Sequence, residues 1–458
     1  MSSLDHAIVI GGSFAGLTAA RVLSDHFDRV TIVERDDVPD EWAPRKGVPQ
    51  SPHVHGILKL GRETLESLFP GFLEESERQG AILFDQIAMG AMYTPYGWSA
   101  RGRSTVRGHG VRRALLEHVA SRFVVVLPRV EVIRARVDGL RVEGSPRRVC
   151  GVTLAGSGVR SLVGDLVVDA SGRSSAAPRW LEDVGLSPPA ETLVNGFVGY
   201  ASRWVRVPED AWPGDYRFIA QLPIPGHTKG GILYPQDNGL HVMSLFGQSR
   251  DYPPGNEAAF MEFLAHCVTP LLHQVMARAE TVSEISTSRS TANRWRHYER
   301  QSSPPGGFVA LGDAYGTFNP VLGQGVTCAC LGSVLLGEAI GEVDGDLDRL
   351  PGIFHPALAA RLRYPWQTAV GFDLRFPETV GERPVPGPES IEFGRYMDVI
   401  AQLSTADVGV LEKVLLANQT FDQGALHDPS LVAQAKAWVD DGRTPANLDP
   451  TRVPPLVA

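Results

Sequence analysis

Apolar and polar positions at the start of the chain follow the order strand, helix, strand. A short apolar run, His6–Ile10, ends at two glycines, and Ala15–Asp25 then repeats its apolar residues at helical spacing on one face. Val30–Val33 is a second, β-branched run that ends at Glu34. This order predicts a βαβ unit with parallel strands and a right-handed crossover.

Strand-like runs dominate the middle of the chain. Val124–Leu127, Val130–Val137 and Val149–Leu154 predict three strands of an antiparallel meander. Farther on, Gly196–Val207 is typical of a second, largely antiparallel sheet. Residues 391–438 are helical by pattern and follow a proline-rich linker. The chain is therefore expected to combine a parallel α/β core, an antiparallel sheet and a helical tail.

Composition and charge narrow the class of protein. A chain of 458 residues suits two connected domains and a tail. The formal net charge of -9 argues against binding to nucleic acid, which requires a basic face. Four cysteines make no disulfide framework, and no metal site is indicated. No targeting segment or membrane span is indicated, so we expect a cytoplasmic protein that does not bind membranes.

The turn between the first strand and the first helix has the composition of a nucleotide-binding loop. Gly11 permits a tight turn, Gly16 permits close helix–strand packing, and Ser13 stands at the position of the motif's middle glycine. Backbone amides at a helix start bind a pyrophosphate, and the carboxylate of Glu34 can accept hydrogen bonds from ribose hydroxyls. The residues predicted to bind the nucleotide here are Gly11, Ser13, Phe14, Ala15, Gly16, Glu34 and Arg35.

A second motif follows the apolar strand that ends before Gly312. Asp313 comes next, and a proline–glycine turn begins at Pro320. Together with the first motif, this stretch resembles the aromatic-hydroxylase (p-hydroxybenzoate hydroxylase-like) class of FAD-dependent monooxygenases. The resemblance implies that Asp313 binds the ribityl chain and that the helix start faces the isoalloxazine ring, where it stabilises negative charge. The FAD-binding residues implied in this motif are Asp313, Pro320, Gly323, Gln324 and Gly325.

Two shorter segments carry the same resemblance. Arg45, Lys46 and Val48 lie in a stretch that is similar to the mobile loop beside the flavin in that class. Arg113 stands where the class has an arginine that opens a helix near FAD, and its alternative interpretation is a solvated helix charge. The chain also resembles a natural-product subgroup of this class, which includes monensin-type polyether epoxidases and flavin-dependent decalin-forming [4+2] cyclases.

The pattern and the resemblance together give a fold class. We predict an α/β fold with an α+β second domain: a Rossmann-like, GR2-type FAD-binding domain, an inserted antiparallel-sheet substrate domain and a C-terminal helical tail. The FAD-binding domain is assigned to residues 1–75, 106–187 and 291–376, the substrate domain to residues 76–105 and 188–290, and the helical region to residues 377–458.

The resemblance implies an FAD-dependent monooxygenase, an epoxidase or hydroxylase that acts on a polyketide-type hydrophobic natural product through a flavin C4a-peroxide. The alternative is a non-redox cyclase that contains FAD and catalyses an intramolecular [4+2] ring closure. Ser171 replaces the aspartate of the Asp-Gly motif that serves NAD(P)H in many members of the class. NAD(P)H and a separate flavin reductase therefore both stay open as sources of electrons, and the protein is expected to be a monomer or a homodimer.

The chemistry implied by the resemblance resides in the cofactor, so no side chain is assigned as a nucleophile. His53 and His55 are candidate acid/base residues because histidine titrates near neutral pH, and structural histidines are the alternative. Aromatic residues of the strand-like segments are candidates to line the substrate cavity, with ordinary sheet packing as the alternative. These candidates are Tyr93, Trp98, Tyr200, Trp204, Phe218, Tyr234 and Phe246.

Overall fold

The computed structural model describes residues 4–37, 42–45, 47–156, 160–445 and 447–456. The strands are β1 (Leu4–Ile10), β2 (Phe27–Glu34), β3 (Ile82–Asp85), β4 (Gly90–Thr94), β5 (Gly97–Trp98), β6 (Arg107–Gly110), β7 (Val130–Arg134), β8 (Arg136–Glu143), β9 (Arg148–Ala155), β10 (Ser161–Val163), β11 (Leu166–Asp169), β12 (Glu191–Val194), β13 (Gly199–Arg206), β14 (Phe218–Gln221), β15 (Lys229–Pro235), β16 (His241–Gly247), β17 (Glu280–Thr281), β18 (Ser286–Ser288), β19 (Asn293–Arg296), β20 (Phe308–Ala310) and β21 (Gly316–Thr317).

Helices lie between groups of strands up to residue 342, and the described elements after that residue are helical. They are α1 (Phe14–Leu23), α2 (Lys59–Leu68), α3 (Phe72–Arg78), α4 (Arg113–Val125), α5 (Ala177–Asp183), α6 (Glu257–Ala265), α7 (Leu271–Met276), α8 (Gly325–Glu342), α9 (Leu350–Leu374), α10 (Pro388–Leu403), α11 (Val408–Thr420) and α12 (Pro429–Asp440).

The first apolar run becomes the central strand of a five-stranded parallel sheet with the order β20-β11-β1-β2-β7. Ala7, Ile8 and Val9 have no exposed surface, as expected of a parallel strand that is covered on both faces. α1 packs against α8 and α4. Because parallel strands end at one edge, the residues that follow β1, β11 and β20 meet there.

One predicted strand of the meander is wrong, and a second is strand but pairs differently along its length. Val124–Leu127 is the end of α4 and the turn after it: Val124 is fully buried and Val126 is 74% exposed, so the spacing of a helix decides which valine enters the core. The run Val130–Val137 is two strands. β7 joins the parallel sheet beside β2, the amide of Ala135 donates to the Glu34 carbonyl, and only β8 turns back to pair with β9.

The largest sheet is mainly antiparallel and has the order β17-β13-β16-β15-β14-β4-β5, with β18 also beside β13. Alternation along each strand gives the sheet two faces. Ala201, Val205 and Met243 point to the outer face, where they pack with α6 and α7. Tyr200 and Phe246 point to the opposite, inner face, where they pack with Val54 and Val321 from the other part of the molecule.

The chain ends on this large sheet. Residues 447–454, here called the C-terminal strap, run past β5 as irregular chain. The carbonyl of Asn447 accepts from the Trp98 amide at 2.9 Å, and the carbonyl of Asp449 accepts from the Trp98 indole at 2.8 Å. The Tyr93 hydroxyl donates to the Leu448 carbonyl at 3.0 Å. The strap therefore uses two aromatic residues of β4 and β5 as its anchors.

Among the described residues, α8 is the one helix long and apolar enough to cross a membrane, with a mean hydropathy of 1.3 over 18 residues. Within the fold, 61% of that stretch is buried, and α8 packs against α1, α2 and α9. A buried core helix of an α/β protein is equally apolar. The hydropathy of α8 is therefore accounted for by its burial in the core.

The α/β fold class with a Rossmann-like parallel sheet, a separate antiparallel sheet and a helical C-terminal region is confirmed. The residue boundaries of the three predicted domains stay a prediction.

Because the C-terminal strap lies against Gly97, a methyl group at this position should reduce the stability of the fold. This glycine has φ +95°, and a β-carbon would lie 2.3 Å from the Asn447 carbonyl oxygen. Gly226 has φ +90° with no atom within 4 Å of its β-carbon position. Gly226→Ala should cost about 1–2 kcal/mol for the left-handed backbone alone. Gly97→Ala should lower the free energy of unfolding clearly further, measured by denaturant titration, and equal losses would contradict the contact with the strap.

Candidate flavin and substrate site

The loop after β1 is held tightly between two strands. Gly11 donates its amide to the Val33 carbonyl at 2.9 Å and has φ +102°; a β-carbon there would lie 2.7 Å from the Ala170 carbonyl oxygen. A β-carbon on Gly16 would lie 1.8 Å from the Gly11 oxygen. Both positions therefore require glycine, and the first-turn amides of α1, which have no intrahelical acceptor, are suited to binding an anion.

Glu34 closes this loop from the neighbouring strand. Glu34 is 7% exposed, and its carboxylate accepts from the Gly12 amide at 2.7 Å and from the Asp36 amide at 2.8 Å. The Arg35 side chain is 56% exposed and lies beside Asp36. Lys46, the remaining basic residue predicted for this region, lies outside the described residues.

A buried carboxylate that the sequence reasoning missed organises the side chains in front of α1. Glu117, on α4, accepts from the Ser13 hydroxyl at 2.8 Å and from the Arg45 guanidinium, and it lies 3.5 Å from Nε of Arg113. Arg113 also donates to the Ser13 hydroxyl at 3.0 Å, and its guanidinium lies 4.4 Å above the Phe14 ring. Only the i,i+4 spacing of Arg113 and Glu117 was visible in the sequence.

Gly312 brings the second motif against the first. It has φ +59°, and a β-carbon there would lie 2.7 Å from the Ala15 β-carbon, so the turn after β20 can reach the start of α1 only with glycine. Asp313 comes next in the chain. Burial raises the pKa of the Asp313 carboxyl, and the positive charges of Arg173 and Arg113 oppose that rise.

The predicted proline–glycine turn leads directly into α8. Pro320 is exposed, Gly323 has φ +65°, and a β-carbon on either Gly323 or Gly325 would touch nothing within 4 Å. Gln324 precedes the first residue of α8 and donates its side-chain amide to the Thr368 hydroxyl at 2.8 Å. The start of α8 therefore has open space beside Gly323 and Gly325.

These residues fit FAD. A dinucleotide needs amide donors for its pyrophosphate, an acceptor for its ribose and room beside a helix start, and the two motifs provide all three along one sheet edge. Several buried polar atoms along this edge also have no hydrogen-bond partner among the described residues. They are Nη1 of Arg45, Nε of Arg113 and Oε1 of Gln324.

The turn after β11 shows what the serine in place of aspartate does. The buried carboxylate of Asp169 accepts from the Ser171 amide at 3.0 Å, from the Ser171 hydroxyl at 2.6 Å and from the Ser175 hydroxyl. Ser171 thus serves the turn itself and presents no carboxylate to a ligand.

The aromatic candidates separate into two groups. Tyr200, Trp204, Phe218, Tyr234 and Phe246 lie in clusters on the inner face of the large sheet. Tyr93 and Trp98 are instead committed to the C-terminal strap, and Trp98 has no exposed surface. Alternation along β4 and β5 could not show this, because the strap comes from the far end of the chain.

His53 and His55 lie on the segment that crosses the inner face of the sheet. Burial lowers the pKa of His53 to about 4. Burial and the nearby charge of Arg113 lower the pKa of His55 to about 3. Both rings are therefore neutral at pH 7 and carry no extra proton to give to a substrate. Nδ1 of His55 lies 3.0 Å from the His53 carbonyl, which can only accept, so the His55 proton is on Nδ1.

Asp373 on α9 is a second buried carboxylate that the sequence did not reveal. Its oxygens accept from Asn293 at 2.7 Å, from Asn319 at 2.8 Å and from Gln248 at 3.4 Å. The Tyr200 hydroxyl donates to the other side of the Asn319 amide at 2.9 Å. Burial raises the pKa of the Asp373 carboxyl, and the three amide donors lower it. This network joins α9, β13, β19, the residue after β16 and the turn before α8.

Comparisons with known proteins agree with this geometry. No family model matches the chain. Protein Rv3254 of Mycobacterium tuberculosis (strain ATCC 25618 / H37Rv) is 32% identical over 402 residues, which cover 83% of this chain and 82% of that protein.

Three solved structures of different named chemistry share the fold. They are the flavin-dependent brominase Bmp2 (TM-score 0.62, 15% identity, covering 96% of this chain and 100% of that one), PqsL of Pseudomonas aeruginosa, a probable FAD-dependent monooxygenase (0.58, 16%, 82% and 98%), and the Diels-Alderase PyrE3 of pyrroindomycin biosynthesis (0.60, 17%, 92% and 81%). At these identities the similarity shows the fold alone.

The Asp373 network predicts the effect of a single oxygen-to-nitrogen exchange. In Asp373→Asn, an NH₂ group replaces one acceptor oxygen. This new donor faces the side-chain NH₂ donor of Asn293 or Asn319. Neither neighbour can turn its amide, because the Asn293 oxygen accepts from the Asn319 backbone at 2.6 Å and the Asn319 oxygen accepts from Tyr200.

Asp373→Asn should therefore lower the free energy of unfolding by about 1–3 kcal/mol, measured by denaturant titration. The matched control is Glu378→Gln, an exposed acid that accepts from the Ser249 hydroxyl and should change little. Equal stability of the two variants would show that the buried network is not held by these amides.

Proposed function

The chain belongs to the family of protein Rv3254, and we propose that it is an FAD-dependent monooxygenase, an epoxidase or hydroxylase of a hydrophobic, polyketide-type natural product. The observation that carries the FAD assignment is the contact of Gly312 with Ala15, which joins the amides at the start of α1 to Asp313 in one groove. The named flavin enzymes of the same fold support the cofactor. We place the protein in the cytoplasm.

FAD would lie along the edge where β1, β11 and β20 end. The α1 amides and Arg45 would hold the pyrophosphate, Glu34 the ribose, and Asp313 the ribityl chain, with the start of α8 beside the flavin ring. Bound flavin supplies the activation of O₂ and the transfer of one oxygen atom, which no side chain of this site can perform. The inner face of the large sheet would exclude water and hold the substrate against that ring.

Electrons for this reaction would come from a separate flavin reductase. The support is Ser171, whose hydroxyl donates to Asp169 and so leaves no carboxylate at the position that serves NAD(P)H in the resembling class.

The same observation supports a second candidate, a [4+2] cyclase in which FAD is part of the cavity wall and is not reduced. The Diels-Alderase PyrE3, which shares the fold, supports this candidate. A cyclase needs only an apolar cavity that brings two ends of a chain together, and the inner aromatic residues supply such a surface.

The cofactor assignment predicts a selective loss of FAD. Asp313→Ala removes the carboxylate expected to accept from the ribityl hydroxyls, and FAD affinity should fall about 10- to 100-fold, measured by fluorescence titration of the apoprotein. Asp346→Ala, an exposed acid on the turn after α8, should leave the affinity unchanged. Unaltered binding by Asp313→Ala would remove Asp313 from the site.

The two candidate reactions differ in how the reduced protein meets oxygen. After anaerobic reduction with dithionite and rapid mixing with oxygenated buffer, a monooxygenase should show a transient near-ultraviolet absorption band before the oxidised spectrum returns. Direct return of the oxidised spectrum, together with equal conversion of a linear polyene by oxidised and reduced protein without O₂, would instead establish the cyclase.

A further inference from the structure

The segment that carries His53 is fastened to the inner face of the large sheet by two buried serines. Nδ1 of His53 lies 2.9 Å from the Ser202 hydroxyl, which lies 2.6 Å from the Ser244 hydroxyl. The Val54 amide donates to Ser244 at 3.2 Å. Ser202 and Ser244 have no exposed surface. Serines on an apolar sheet face are unusual, and here they hold a histidine.

The hydrogen bonds among His53, Ser202 and Ser244 can be oriented in two directions. If Nδ1 of His53 donates to Ser202, then Ser202 donates to Ser244, and the Ser244 hydroxyl has no acceptor among the described residues. A buried, unsatisfied hydroxyl costs about 1–3 kcal/mol. In the opposite direction both serine hydrogens have an acceptor, because Ser244 donates to Ser202 and Ser202 donates to Nδ1. The hydrogen left without a protein acceptor is then on Nε2 of His53, which is partly accessible, and not on the fully buried Ser244 hydroxyl. The second arrangement therefore dominates, and the His53 proton is on Nε2.

Nε2 is the ring nitrogen of His53 that takes no part in these hydrogen bonds. It has no hydrogen-bond partner among the described residues, yet it is not fully shielded, and His53 is 9% exposed. Its ring lies 5.9 Å from the Tyr200 ring, whose hydroxyl reaches Asn319 at the turn before α8. Tyr200 belongs to an otherwise apolar cluster on the inner face of the sheet. The other members of this cluster are Val54, Val198, Leu222, Ile232, Phe246 and Val321.

We propose that His53 is a neutral hydrogen-bond donor that selects substrates with an acceptor oxygen, a ketone or enolate oxygen, on an otherwise apolar skeleton. A single oriented donor in an apolar wall fixes the position of one polar group and rejects a ligand that lacks it. Ser202 and Ser244 are positioning residues, because they act only by fixing the tautomer of His53. The inference rests on the proposed function, since it assigns the inner face of the sheet to the substrate.

The test uses two probes that differ only in a carbonyl group, 1-tetralone and tetralin. Equilibrium dialysis against the FAD-loaded protein gives both dissociation constants, and flavin difference spectra report whether each probe lies beside the ring. The wild-type protein should prefer the ketone, and His53→Leu should lower this preference about three- to tenfold by weakening the ketone alone. His53→Gln, which keeps an N–H donor near Nε2, should restore most of it.

The controls separate recognition from folding. His227→Leu removes an exposed histidine and should leave the preference unchanged. Ser202→Ala leaves the ring in place but frees the tautomer, so it should reduce the preference, and NMR of ¹⁵N-labelled histidine should show proton exchange between the two ring nitrogens. In the wild-type protein the same spectrum should show Nδ1 unprotonated.

An unchanged ketone preference in His53→Leu, or a proton on Nδ1 in the wild-type protein, overturns the inference. Failure of the proposed function is distinct. A protein that takes up no flavin but keeps a His53-dependent ketone preference would contradict the flavin enzyme and support the donor. A flavin-loaded protein that binds both probes equally well would support the flavin enzyme and contradict the donor role of His53.

Discussion

The close approach of Gly312 to Ala15 is the constraint on which the rest of the site depends. It is possible only because Gly312 lacks a side chain at φ +59° and because Gly11 and Gly16 let α1 begin directly against the strand edge. With this contact, the residues that follow β1, β11 and β20 lie together along one edge of the parallel sheet, which is the groove proposed for FAD. Helix amides beside a strand end, with a second helix start nearby, are the features that a dinucleotide site uses.

Two buried carboxylates stabilise the surroundings of this groove in different ways. Glu117 is paired with arginine and serine side chains and orders the cations in front of α1. Asp373 has only amide donors and orders the turn that leads into α8. A buried charge is costly unless its hydrogen bonds are complete, so each carboxylate imposes one arrangement on all its neighbours. The first orders the side chains in front of α1, and the second joins the turn before α8 to Tyr200 on the large sheet.

The fold by itself leaves the chemistry open, since a brominase, a monooxygenase and a Diels-Alderase share it. In this chain the inner face of the large sheet combines apolar and polar residues. There Ser202 and Ser244 interrupt an aromatic and aliphatic surface and fix the segment that carries His53. The lowered pKa of His53 and the geometry of the serines have the same consequence: the ring is a neutral, oriented dipole, suited to recognition more than to proton transfer.

The sequence by itself determined the βαβ start, the two glycine motifs, the fold class and the helical tail, because each depends on local spacing: apolar periodicity, glycine where no β-carbon fits, and an acid at a strand end. It did not determine the partner of β7, the end of α4 as a helix, or the roles of Glu117 and Asp373. It also placed Tyr93 and Trp98 beside the other aromatic candidates, whereas the C-terminal strap occupies them. These features depend on contacts between residues far apart in the chain, and only the tertiary structure decides which of several chemically equivalent partners a buried polar or aromatic side chain meets.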